Sequence, residues 1–215
     1  MHLPDLQLQF IYARLAWGIV LATLIIALWP RRFALSRPML IGIVVGMVGL
    51  QALPGSASPT YALGLAFQSP SGLLLGLCLA KLYLAAHNAA QREIMPLKLA
   101  FLLAGTGVIL YLDAMGLIAL GLYYWGFGPY AAPLASLLLA IGAAVAIARG
   151  RASPQAMALL VALMSFAILR LPTGNIWDAL FDPLLWLWAL WTLARHARQR
   201  WLGKRRQQQR LAAQA

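Results

Sequence analysis

Carboxylates are scarce in this sequence. Its 215 residues include 5 Asp or Glu against 17 Lys or Arg, a formal net charge of +12. Charged residues of both signs make up 10% of the chain and hydrophobic ones 62%, with a mean hydropathy of +0.77. A water-facing domain carries about 25% charged residues, so this chain cannot clothe a soluble surface of its own size. Runs of roughly 18 or more apolar residues make lipid its natural solvent. The expected class is an all-α membrane protein.

Other absences narrow the chemistry. A single cysteine, Cys78, excludes an intrachain disulfide and, lying in an apolar stretch, reads as a buried structural thiol. Neither Asn88 nor Asn175 opens an N-x-S/T sequon, in keeping with a bacterial protein. No GxxxxGK[ST] loop, HExxH pair or G-x-S-x-G elbow occurs. His2, His87 and His196 fall far apart, and Ser69, Ser71 and Ser165 have no histidine in an assignable arrangement. Neither metal nor cofactor is expected. No Lys or Arg precedes the first apolar run, so that segment reads as retained rather than as a cleaved signal peptide.

What is present is a series of seven apolar stretches, at residues 8–29, 38–53, 70–87, 96–119, 128–148, 154–171 and 176–194. Proline near several of the starts fits a first helical turn. Basic residues mark alternate connections. Arg31, Arg32 and Arg37 follow the first stretch, Arg92 and Lys98 the third, Arg149 and Arg151 the fifth. Arg195, Arg198, Arg200, Lys204, Arg205, Arg206 and Arg210 follow the seventh. Cytoplasmic loops concentrate Lys and Arg. The pattern predicts a polytopic bundle of about seven transmembrane helices in a bacterial inner membrane, with the N-terminus outside and the C-terminus cytoplasmic. Residues 1–195 would form a single transmembrane helical domain and 196–215 a basic cytoplasmic tail. No internal repeat is evident.

Residues 56–70 are too short to cross and read as a re-entrant or interfacial segment on the outer side. Tyr123, Tyr124, Trp125, Phe127 and Tyr130 read as an outer aromatic belt rather than a stacking site. The tail fits attraction to an anionic inner leaflet at roughly 1 kcal/mol per basic residue. Membrane lipids and membrane protein partners are the expected company, and nucleic acid is not.

Charges within spans demand a reason, because each costs at least a few kcal/mol to insert. Arg14, Asp113 and Asp182 each lie about 9 Å below the outer end of their spans at the helical rise. Arg170 and Asp178 lie nearer that surface. These two cations and three carboxylates, from four spans, would share one leaflet. Asp178 and Asp182, spaced i, i+4, would share a helix face, with Pro183 bending the helix beside them and Gln68 and Asn175 joining from loops. The cluster reads either as static ion pairs or as an outer pocket for a polar group. A carboxylate dyad is a weaker third choice, since neighbouring arginines favour ionised acids. Lys81 lies deeper and reads as snorkelling toward the cytoplasmic face. The last span holds no lysine, against a retinal-type Schiff base.

The functional expectation is non-catalytic: a transporter-like component or accessory subunit of an envelope system, binding a polar or lipid-linked substrate or a partner. The alternative is a membrane-embedded transferase or hydrolase acting on a lipid-linked substrate at the outer face. There Asp178 or Asp182 would be the acid or base, and Arg14 or Arg170 would hold an anionic group.

Overall fold

A computed structural model describes residues 4–30, 35–87, 93–151 and 153–212, and every regular element among them is helical. Local chemistry sets many of the starts. The Asp5 carboxylate accepts from the backbone N–H groups of Gln7 and Leu8 at 2.8 and 3.1 Å and opens α1 (Leu6–Leu28). Ser36 caps α2 (Arg37–Gln51), with Pro38 in its first turn. A short 3-10 turn (Gly55–Ala57) and α3 (Pro59–Phe67) lead to α4 (Gly72–Ala86), capped by Ser71. The remaining helices are α5 (Leu97–Ala114), α6 (Leu122–Trp125), α7 (Ala131–Ala148), α8 (Ser153–Leu169), α9 (Ile176–Leu180) and α10 (Pro183–Ala212).

Three helices among the described residues, α1, α5 and α7, are long and apolar enough to cross a membrane, at 23, 18 and 18 residues. They place the chain among membrane proteins. The apolar α2, α4 and α8 are shorter, at 15, 15 and 17 residues, against the roughly 20 that a full crossing takes.

Two expected spans end or break earlier than their hydropathy suggests. The stretch 96–119 is helical only to Ala114, because Gly116 (φ 72°) turns the chain away. Asp113 therefore stands in the last turn of α5 rather than two turns below its end. The stretch 176–194 is two helices, with Phe181 extended between them and Pro183 opening α10. A residue preceding proline is disfavoured in helical conformation, so Pro183 ends one helix and starts the next instead of bending one. Asp178 and Asp182 thus do not share a helix face.

Small residues bring the helices together. Helix α4 packs on α8 and α1, α1 on α2, α7 on α8, and α5 on α10. A Cβ on Gly72 would lie 3.0 Å from the Ala162 backbone, and one on Gly76 2.8 Å from that of Ala158. The α4–α8 seam is thus a small-xxx-small contact on both sides, the pattern that lets apolar helices approach in lipid. Around it lie buried Trp17, Leu77, Cys78, Leu163, Phe166 and Leu185. By contrast α3, at nine residues, buries none of its side chains and leaves Tyr61, Leu65 and Phe67 exposed.

Arg31, Arg32, Arg92, His2 and Asn88 lie outside the described residues. Of the basic residues described, Arg37 donates from Nε to the Ala86 carbonyl at the C-terminal end of α4, where a cation meets the negative end of the helix.

Candidate functional site

The carboxylates gather where α5 ends and α9 and α10 begin. The Asp113 Oδ1 accepts from the backbone N–H groups of Leu120 and Gly121 at 2.9 and 2.8 Å, and its Oδ2 from that of Tyr123 at 2.8 Å. With Gly121 also left-handed (φ 67°), one carboxylate folds the loop back onto its own helix and starts α6.

The loop before α9 then clamps α6. Asn175 caps α9 by accepting from the Trp177 N–H at 2.9 Å, and donates to the Tyr123 carbonyl at 3.2 Å. Trp177 Nε1 donates to the Leu122 carbonyl at 2.7 Å, and the Ile176 N–H to that of Gly126 at 3.1 Å. The Tyr123 hydroxyl donates to the Asp178 carboxylate at 3.0 Å, and the Thr173 hydroxyl donates to it as well. Tyr123 and Asp178 sit on helices too short to cross. Burial raises the Asp178 carboxyl above its ordinary range, while the Thr173 and Tyr123 hydrogen bonds pull the other way. Burial and the neighbouring Asp178 push the Tyr123 hydroxyl up to about 12.

Asp182 joins two helix starts. Its Oδ1 accepts from the Leu185 N–H of α10 at 2.8 Å, and its Oδ2 from the Ser71 N–H at the start of α4 at 2.9 Å. The Ser71 hydroxyl in turn accepts from the Leu74 N–H at 3.0 Å. Asp182 is buried, and the N-terminal ends of two helices converge on it, so that backbone N–H groups satisfy its carboxyl oxygens without a cation. Helix α1 fixes the chain leading into this junction: Trp17 Nε1 donates to the Gln68 carbonyl at 3.0 Å and the Tyr12 hydroxyl to the Pro70 carbonyl at 2.8 Å.

The arginines stand apart. Arg14 is exposed on α1, beside exposed Phe10, Ile11 and Leu15. Arg170 follows α8 in a left-handed conformation (φ 56°), with its guanidinium 5.2 Å from the centre of the Phe166 ring. Among the described residues neither is in ion-pair contact with Asp113, Asp178 or Asp182, whose partners are backbone N–H and hydroxyl groups. The five residues therefore do not form one charge cluster. Asp113 and Asp178 are linked through Tyr123, Asp182 lies close by, and Arg14 and Arg170 are elsewhere. Backbone donors at a helix start are fixed in advance, whereas a long arginine must lose rotamer freedom to pair.

A cleft of about 280 Å³ opens at this end, and its lining includes Gln68, Tyr111, Tyr123, Asp178 and Asp182. The Tyr111 hydroxyl is buried without a hydrogen-bond partner, and its ring meets Trp186 edge-on at 5.3 Å. A carboxylate offers about four acceptor positions. Two hydroxyl donors leave Asp178 with acceptor capacity toward the cleft, which suits a hydroxyl or ammonium donor. Gln68 lines the cleft, and Asn175 holds the Tyr123 carbonyl beside it. Tyr111, Thr173 and the Ser71 N–H were not foreseen, although Asn175 and Ser71 each occupy a sequence position typical of a helix cap. Among the described residues no group of three or more His, Cys, Asp or Glu is placed to hold a metal ion. Comparison of the chain with protein-family models, with curated proteins and with solved structures finds no match in any of the three.

Proposed function

We propose that this chain is a non-catalytic multi-span protein of a bacterial inner membrane. Its acidic cleft opens on the outer leaflet and receives the hydroxyl- or amine-bearing head group of a polar or lipid-linked ligand. It would serve as a transporter-like component or accessory subunit of an envelope system. The observation that carries this reading is the cleft itself, where Asp178 and the unpartnered Tyr111 hydroxyl line one space. An apolar wall with a few convergent polar groups is the usual make-up of a ligand site.

The alternation of basic connections supports seven crossings. At 1.5 Å per residue α2, α4 and α8 reach about 22–26 Å, which a locally thinned bilayer accommodates. The exposed, nine-residue α3 suits an interfacial helix better than a re-entrant one, since no irregular backbone then has to sit in hydrocarbon. The enzymatic alternative needs a cation beside the carboxylates to hold an anionic group, and neither Arg14 nor Arg170 lines the cleft.

Binding of glucosamine and of glucose to the purified full chain in nanodiscs tests the reading. Saturable binding that weakens by about tenfold, or 1.4 kcal/mol, in Asp178→Asn supports it. Binding unchanged in Asp178→Asn and in Tyr111→Phe contradicts it. For topology, reporter fusions after Arg37, Gly55, Arg92 and Tyr130 are expected to alternate in, out, in, out. Two adjacent fusions on one side break the seven-crossing arrangement.

A further inference from the structure

A second, larger cavity lies further along α10, toward its middle. It measures about 800 Å³, and Trp188, Trp191, Arg195, His196 and Gln199 of α10 form one side of it. Lys81 of α4 reaches in from across the cavity, with its ammonium 5.4 Å from the centre of the Trp188 ring. The rest of the wall is mostly apolar, including Leu84, Ile94 and Leu97. Arg195 stands about 18 Å along α10 from Pro183 at the helical rise, so this site is separate from the acidic cleft.

Charge decides what fits. Lys81 and Arg195 line the cavity, and His196 and Gln199 add polar groups to them. The carboxylate in the wall is Glu93, which is exposed. The chain's other four acids are Asp5, which caps α1, and Asp113, Asp178 and Asp182, held at the acidic end. Among the described residues no further side-chain carboxylate lines the cavity to neutralise these cations, which suits an anion from outside. A planar guanidinium, an ammonium and an imidazole lining one cavity with two tryptophans match phosphate oxygens attached to an apolar body.

We propose that this cavity binds a phosphate-bearing group of net negative charge, the phosphate between Lys81 and Arg195 and the apolar remainder against Trp188 and Leu84. The site does not depend on the ligand of the acidic cleft. It also gives Lys81 a role beyond snorkelling: its stem leads the ammonium into a cavity where an anion is needed.

Native mass spectrometry tests this, with the full chain released from nanodiscs of phosphatidylcholine and phosphatidylglycerol in equal parts. The parent should retain phosphatidylglycerol in preference to phosphatidylcholine. Lys81→Gln and Arg195→Gln should each lower that retention by at least about fivefold, the scale of one basic residue near a lipid surface. Lys81→Arg should keep it, and Glu93→Gln should raise it. A tail variant, Arg205→Gln with Arg206→Gln, should lower it less than Lys81→Gln or Arg195→Gln does, since those residues lie beyond the cavity. Displacement by inorganic phosphate supports the site and identifies phosphate alone as sufficient. No displacement, with retention still dependent on Lys81, supports it and identifies the lipid. Equal retention of both lipids, or retention within about twofold of the parent in both Lys81→Gln and Arg195→Gln, overturns the proposal. Arg195 is exposed, so its variant tests the site even if Lys81→Gln fails to fold.

Discussion

The two ends of this molecule treat charge in opposite ways. At the start of α10 the carboxylates are satisfied from within: Asp182 by two helix starts, Asp113 by a loop, and Asp178 by two hydroxyls. Toward the other end Lys81 lies over a tryptophan and Arg195 lines a wide cavity with one exposed carboxylate in its wall. With 5 acids against 17 bases, the chain places most of its carboxylates where backbone N–H groups need acceptors, and leaves cations to find anions elsewhere. Acids here act as structural acceptors, and bases as contacts with the surroundings.

The largest effect expected from this contrast is at Asp182. Asp182→Ala leaves two backbone N–H groups unsatisfied and uncaps α10, a cost of roughly 3–5 kcal/mol. At that cost its melting midpoint in nanodiscs should fall by roughly 10 °C. Tyr123→Phe removes one link between α6 and α9 and should cost about 1–2 kcal/mol in the same assay. A loss as large as that of Asp182→Ala would make the Tyr123–Asp178 contact the true keystone.

Asp178 adds a pH dependence. Its carboxyl is raised in the folded protein, so the folded state binds more protons than the unfolded one above the ordinary aspartate value of about 4. The contribution is therefore complete below that value and is lost as pH rises through the raised one. Asp178→Asn should flatten the fall in stability with rising pH; an unchanged slope would remove Asp178 as its source. At the basic end, Lys81→Gln should alter stability little, within about 1 kcal/mol, while changing lipid retention. The smallest loss belongs to Arg14. With no carboxylate contact among the described residues, its change to Gln should not lower stability below the parent's.

The membrane character of the helices was legible in the sequence; the separation of acids from bases was not. Low charge and long apolar stretches pointed to membrane helices, and α1 and α7 fall close to their expected spans. Hydropathy alone misled at 96–119 and 176–194, because leucine and isoleucine continue past the residues that stop the helices. Gly116 and the Asp182-Pro183 pair carried the stop signals. Asp before Pro reads as a helix cap followed by its first residue, and taking the pair that way removes the shared face of Asp178 and Asp182. The same signal assigns Asp182 to backbone donors rather than to an arginine. What sequence spacing does not reveal is the meeting of distant segments, such as Ser71 with Asp182 or Tyr123 with Asp178. Those contacts depend on how α4, α6 and α10 pack.

Thermal melting of Asp182→Ala, Arg14→Gln and the swap Arg14→Asp with Asp182→Arg, all in nanodiscs, tests most directly whether neutral donors hold the acids. Asp182→Ala should melt roughly 10 °C below the parent, Arg14→Gln should melt no lower than the parent, and the swap should do no better than Asp182→Ala. An Arg14→Gln midpoint as low as that of Asp182→Ala, together with recovery in the swap, would contradict the account and restore an ion pair as the bond that holds this end together.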